Sequence, residues 1–351
     1  MKPSPGLRSG VCYFYVHFIT EVVCFYTLGH LLSDTASTWI IPLTFDMLAF
    51  VPQSLIGALS DRKKQLPLGV IGVSLMAITA GLLGVVQNPY ILLLPLCLGN
   101  ACTHVAGAQA TLRCAEGKLA PSAIFVAGGS FGVITGRLLS VSAVPPLAIV
   151  LFAFTAMPFV FTARADRMRT DAQSDVPCAA FRCSDPDRSA VWVIVLAVFV
   201  VIVRGYMGYG IPTSWIKTTA QTVLLYVTMG LGKALGGILA DRFGVRRTAL
   251  FSAAAAVPFL LCGDRVMLVS LVGVMLFSMT MSVTLGLLVS VLPASPGLAF
   301  GLTTIGLFIG TVPTFFVRFT TLQANCIIIA VLSAVCLAAM HAILRRDRSR
   351  V

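Results

Sequence analysis

Residues 237–247 read Gly237-Ile238-Leu239-Ala240-Asp241-Arg242-Phe243-Gly244-Val245-Arg246-Arg247, and 180 positions earlier the chain reads Gly57-Ala58-Leu59-Ser60-Asp61-Arg62. Each copy ends an apolar run and opens a short basic loop, so the repeat marks two equivalent points in a chain built twice over. The offset is about half of the 351 residues. Around these copies the sequence is 58% hydrophobic and only 11% charged, with a mean hydropathy of +0.94. A water-soluble surface does not tolerate that apolar excess, which excludes a soluble enzyme.

Apolar segments broken by Pro, Gly and charge fall near 11–33, 38–59, 67–86, 90–112, 120–142, 145–163, 190–211, 216–239, 246–262, 266–289, 298–317 and 322–344. A bilayer takes about 20 apolar residues per crossing, so these predict an all-α integral membrane protein of twelve transmembrane helices. The long polar stretch at 164–189 divides them six and six. The expected organisation is an N-terminal half at 1–163, a cytoplasmic linker at 164–189 and a C-terminal half at 190–351. With a cytoplasmic amino terminus, nineteen of the 25 Lys and Arg residues fall in cytoplasmic segments. Only Lys217, Arg265 and Arg318 fall on the opposite face, which predicts both termini inside and explains the net charge of +12 without a nucleic-acid partner. The first apolar run contains His17 and Glu21 and lacks a small-residue cleavage site, so it reads as a retained helix. The ten cysteines lie mostly in apolar runs. Cys178 and Cys183 share a polar loop without a nearby His, a weak basis for zinc.

An ionisable side chain inside the hydrocarbon costs about 2.5–3.5 kcal/mol on insertion scales, so each one there is a candidate functional group. At about 1.5 Å per residue, His17, Glu21, His104 and Lys233 form an inner layer and Asp46, Arg137 and Arg204 an outer one. His17 and Glu21 are four residues apart and share a helix face. Glu21 is the expected proton carrier, with His17 or His104 as relay and Asp46 as a second coupling carboxylate; permanent pairing of Glu21 with Lys233 or an Arg is the structural alternative. Asn100, His104, Gly107 and Thr111 form a polar stripe, as do Thr222, Tyr226, Met229 and Lys233. A guanidinium grips carboxylate or phosphonate oxygens as a fork, so Arg204, Arg137, Lys233, His104, Tyr206 and Asn100 are the candidate substrate ligands. Either Arg could instead neutralise Asp46. No nucleotide loop, zinc helix or nucleophile elbow stands out, so neither enzyme chemistry nor a bound cofactor is expected.

The repeat resembles the signature that the major facilitator superfamily carries between helices 2 and 3. Gly237 to Arg247 match it almost throughout, whereas the first copy has Lys64 where the later Gly belongs. A narrower resemblance runs through His17-Phe18-x-x-Glu21, Leu48-Ala49-Phe50-x-x-Gln53, Gly99-Asn100-Ala101-x-x-His104-Val105, Ile124-Phe125-Val126-Ala127-Gly128-Gly129, Arg204-Gly205-Tyr206 and Gly232-Lys233-x-x-Gly236-Gly237. Together these look like the fosmidomycin-resistance-like branch. The resemblance implies the two-halved major facilitator fold, with helices 3, 6, 9 and 12 turned to lipid. It also implies proton-driven export of a small anionic molecule, and a cytoplasmic latch involving Asp61, Arg62, Asp241 and Arg242. The expectation is a monomeric secondary transporter of a plasma or bacterial inner membrane, exporting a small organic anion or drug against protons by alternating access. Uptake of an anionic metabolite is the alternative within transport, and a non-transporting membrane sensor the alternative outside it.

Overall fold

The computed structural model describes residues 3–33, 39–173, 190–316 and 321–344. Fourteen helices account for nearly all of them: α1 (Pro5–Ser33), α2 (Ile40–Phe50), α3 (Pro52–Arg62), α4 (Leu68–Leu82), α5 (Pro89–Arg113), α6 (Ala120–Ser140), α7 (Pro146–Phe154), α8 (Met157–Gln173), α9 (Ala190–Gly210), α10 (Thr219–Phe243), α11 (Val245–Cys262), α12 (Met267–Val291), α13 (Pro296–Phe316) and α14 (Leu322–Leu344). The pairs α2–α3 and α7–α8 each continue as one span, giving eleven helices long and apolar enough to cross a membrane. The shorter apolar helix α4, of 15 residues, makes twelve among the described residues. Helix boundaries follow local chemistry. Asn88 caps α5 by accepting from the Tyr90 amide at 3.0 Å, and Thr218 with Gln221 makes a reciprocal capping box at the start of α10. Pro52, Pro89 and Pro146 occupy first-turn positions, where the missing N–H is not needed.

The third apolar span is shorter than expected, and the linker and the repeat loops take particular forms. Residues 164–173, expected in the linker, are the last turns of α8. There Arg164 donates to the Gln65 carbonyl at 2.7 Å and Arg167 to Gln109 Oε1 at 2.7 Å, so the basic residues are docked against the bundle. The rest of the linker, with Cys178 and Cys183, lies outside the described residues. The third span ends four residues early, at Leu82, because Gly84 turns the chain at φ +87°. The two copies of the repeat also close differently. Gly244 takes φ +91°, a region a side chain rarely enters, whereas Lys64 has no such conformation and its loop closes through a Leu66 amide to Lys63 carbonyl bond of 3.1 Å.

The centre of the bundle is built by α1, α5, α6 and α12. About 72% of the apolar window of α1 and 78% of that of α5 is buried, against 28% for the α7–α8 span and for α11. Against α1, helix α6 presents Gly128, Gly132 and Gly136 in successive turns, and a Cβ at each would run into the Phe14, Phe18 and Val22 carbonyls. Small residues let two helices approach closely in a membrane, where van der Waals packing must replace the hydrophobic drive. That approach presses the His17 ring against α6. Helix α10 packs on both α6 and α12, and α13 packs on α3 and α9, linking early and late parts of the chain.

Candidate functional site

The inner-layer residues from α1 and α5 converge. His17 Nε2 and His104 Nε2 are 2.8 Å apart, and Glu21 Oε1 lies 3.6 Å from the first and 3.4 Å from the second. All three side chains are buried, at 7–8% exposure. Each imidazole is held from behind: His17 Nδ1 meets the Phe125 carbonyl at 2.9 Å and His104 Nδ1 meets the Asn100 carbonyl at 2.9 Å. A carbonyl only accepts, so both Nδ1 atoms carry a proton, and when the two rings are neutral both Nε2 atoms direct lone pairs at the same spot. Asn100 donates to Glu21 Oε1 at 3.2 Å and to Cys24 Sγ at 3.4 Å, which makes it a support for the carboxylate. The Phe300 ring of α13 lies nearly parallel over His104, with centroids 6.3 Å apart, and the Phe125 ring lies beside both, 6.4 Å from His104 and 5.9 Å from Phe300. Among the described residues this is the one group of three metal-ligating side chains with its donor atoms within 4.8 Å of one another.

The cations are arranged differently. Lys233 Nζ donates to Ser130 Oγ of α6 at 2.8 Å, across the α6–α10 contact. Arg137, exposed on α6, has its guanidinium over the Phe25 ring at 5.2 Å and the Tyr226 ring at 5.6 Å. Arg204 is turned away from both, into a small cavity lined by residues of α9, α11, α12 and α14, among them Met207, Leu260 and Cys336. There it stacks on the Phe277 ring at 5.0 Å and donates to the Phe277 carbonyl at 3.3 Å, while its buried Nε has no partner. Tyr206 lies on the same helix, two residues on. None of the three cations forms an ion pair with a described carboxylate, and neither does Asp46 on α2. The pairing of Glu21 with Lys233 and the neutralisation of Asp46 by an arginine are therefore absent among the described residues.

At the basic end of the bundle the two motif aspartates do the same thing in two places. Asp61, ending α3, accepts from the Gly297 amide at 3.1 Å and the Leu298 amide at 2.9 Å, the first turn of α13. Asp241, ending α10, accepts from the Leu119 amide at 2.7 Å and the Ala120 amide at 2.9 Å, the first turn of α6. A carboxylate at a helix N-terminus satisfies orphan amides and meets the positive end of the dipole. Asp61 is held further by Gln109, whose amide nitrogen reaches its Oδ1 at 2.8 Å and Ser60 Oγ at 2.7 Å. Gln109 in turn accepts from Arg167, which with Arg113 flanks Asp171. Arg8 and Asp166 pair across α1 and α8. Arg62 and Arg242 are exposed, with Arg242 over the Phe243 ring. Gln109, Arg113, Arg167 and Asp171 were not singled out in the sequence. Gln109 lies off the polar stripe of α5, and a lone amide among Gly107, Ala108 and Ala110 in a membrane span was the available signal.

The fold and these sites define a polytopic helical membrane protein with buried charge at its centre and aspartate caps at one end. In architecture the chain has the fold of major facilitator superfamily transporters. It is similar over 97% of its length to a human organic anion transporter, MFSD10, at 16% identity and a TM-score of 0.65, covering all of that chain. It is likewise similar to the major facilitator transporter FucP in its outward conformation, at 15% identity and a TM-score of 0.63, covering 97% of this chain and 98% of that one. FucP of E. coli is a fucose:proton symporter. No protein-family model matches the sequence, and no curated protein matches it significantly.

Proposed function

We propose that the protein is a proton-coupled secondary transporter that exports a small organic anion. In this reading two six-helix halves, 1–163 and 190–351, rock about the central charges, and the basic end is cytoplasmic. The observation that carries the reading is the set of uncompensated cations. Lys233 and Arg137 sit at the α6–α10 contact without a carboxylate partner, so an anion entering between the halves would supply the missing charge. Arg204 makes no contact with that place, and its charge acts there only at a distance. The similarity in fold to an organic anion transporter and to a proton symporter is consistent with this reading.

Asp46 is the carboxylate free to carry the coupling proton. It has no hydrogen-bond or ion-pair partner among the described residues, whereas Glu21 is engaged by Asn100 and approached by two imidazoles. Proteoliposomes given a pH gradient and a panel of carboxylates, phosphonates, sugars and cationic drugs test the reading. A carboxylate or phosphonate should accumulate on the acidic side, as antiport requires. Lys233→Gln should raise its KM about tenfold or more, a buried charged hydrogen bond being worth about 1.5–3 kcal/mol. Asp46→Asn should abolish accumulation while sparing anion exchange. Gradient-driven accumulation that survives in Asp46→Asn overturns the coupling assignment, and movement of cationic drugs alone overturns the anion assignment.

A further inference from the structure

We propose that His17 Nε2, His104 Nε2 and Glu21 Oε1 bind a divalent transition-metal ion of the zinc class. The fourth coordination position would be left to water or to an oxygen of a bound anion. Both Nδ1 atoms are committed to backbone carbonyls, so in the neutral rings two imidazole lone pairs face each other at 2.8 Å. Such a contact is repulsive unless a cation stands at the point they share. A proton on one ring could serve the two nitrogens. It leaves Glu21 Oε1 with the Asn100 amide alone and no imidazole hydrogen bond, because 3.4 and 3.6 Å exceed the usual 2.7–3.2 Å range of an N–H···O bond.

The three donor atoms form a triangle of the right size for an ion. Sides of 2.8, 3.4 and 3.6 Å place the three donors about 1.9 Å from a common centre, while zinc takes N and O ligands at about 2.0–2.2 Å. An ion at those distances sits about 0.7 Å above the donor plane, as the apex of a near-tetrahedral site with one position open. The surroundings have the same character. Metal-ligating histidines characteristically donate their second ring N–H to a backbone carbonyl or carboxylate, as both do here. Phe125 and Phe300 supply an apolar shell, and Asn100 fixes the carboxylate. Two nitrogens and one oxygen select borderline ions such as zinc and cobalt over calcium or magnesium, which demand six or more oxygens. Ser130, which anchors Lys233, adjoins Gly129, and Gly129 abuts the His17 ring, so the metal position and the lysine share a neighbourhood.

The site is independent of the transport reading, and its test needs no transport. The detergent-purified protein is stripped with chelator and titrated with Co2+ alone. One equivalent should give the visible ligand-field bands of four-coordinate cobalt without thiolate charge-transfer absorption, and Zn2+ should displace it. Zn2+ should also raise the thermal midpoint of the unaltered protein, a readout that requires no variant. His17→Ala and His104→Ala should each weaken binding at least tenfold, as should Glu21→Gln, with Glu21→Asp recovering part of the loss; size-exclusion profiles establish that each variant is folded. Failure to bind cobalt at micromolar concentration would overturn the site, leaving a shared proton as what joins the rings. Thiolate bands or an octahedral spectrum would overturn it too, as would full affinity in Glu21→Gln.

Discussion

Replacing Asp61 by Asn tests whether the caps at the basic end hold two bodies together. The change keeps the shape and one acceptor oxygen but removes the charge from amide contacts of 3.1 and 2.9 Å and from the Gln109 contact of 2.8 Å. Hydrogen bonds to a charged group are worth about 1.5–3 kcal/mol against about 0.5–1.5 for neutral ones, so the cap loses roughly 1–2 kcal/mol. That corresponds to an opening equilibrium raised about 5–30-fold. Asp241 is exposed and lacks a counterpart of Gln109 among the described residues, so Asp241→Asn belongs at or below the lower end of that range. Hydrogen exchange read by mass spectrometry on peptides covering 296–300 and 119–123 measures both. If the caps join two rigid halves, either substitution exposes both pairs of amides, and exchange rises by the same factor in both peptides. Exchange that rises only in the peptide facing the altered aspartate would refute the latch and reduce the motif to two local helix caps.

Two further outcomes follow from geometry described above. Gly57→Val places a Cβ against the Gly297 backbone and within 2.8 Å of the Leu298 nitrogen, where no side chain can move aside; it should hold the basic end apart, costing about 1–3 kcal/mol, and the 296–300 peptide should exchange faster than in Asp61→Asn. Asp264, in the loop between α11 and α12, accepts from the Ser214 amide at 3.0 Å, and its bonding to Ser214, helped by Arg265 and Lys217, holds its carboxyl below the ordinary aspartate range. A lowered folded value gives stability that is present above the unfolded pKa of about 4 and lost as pH falls through the folded one, so Asp264→Asn should flatten the acid limb of the thermal midpoint against pH. An unchanged acid limb would remove Asp264 from that role.

The spans were legible because an apolar run in a chain this poor in charge has few other places to go. The end of α8 was not, because Arg164 and Arg167 read as linker charges until their carbonyl and Gln109 partners are seen. His17 and Glu21 announce a shared face by spacing, and the stripe on α5 brings in His104. The opposed lone pairs depend on the Phe125 and Asn100 carbonyls, which no periodicity encodes. Arg204 shows the limit most clearly. Its depth put it with Arg137, but depth along a helix says nothing of azimuth, and the side chain points to α12 and α14 instead of α6.

The missing partners of the cations have an electrical consequence. With both imidazoles neutral and no metal bound, Lys233, Arg137 and Arg204 against Glu21 and Asp46 leave the interior one positive charge in excess. A charge carried through the membrane field changes energy by about 2.3 kcal/mol per 100 mV. A monoanion bound as proposed would cancel the excess. In the transport cycle proposed above, voltage would therefore bear on the return of the empty protein, while the loaded protein would cross nearly blind to it.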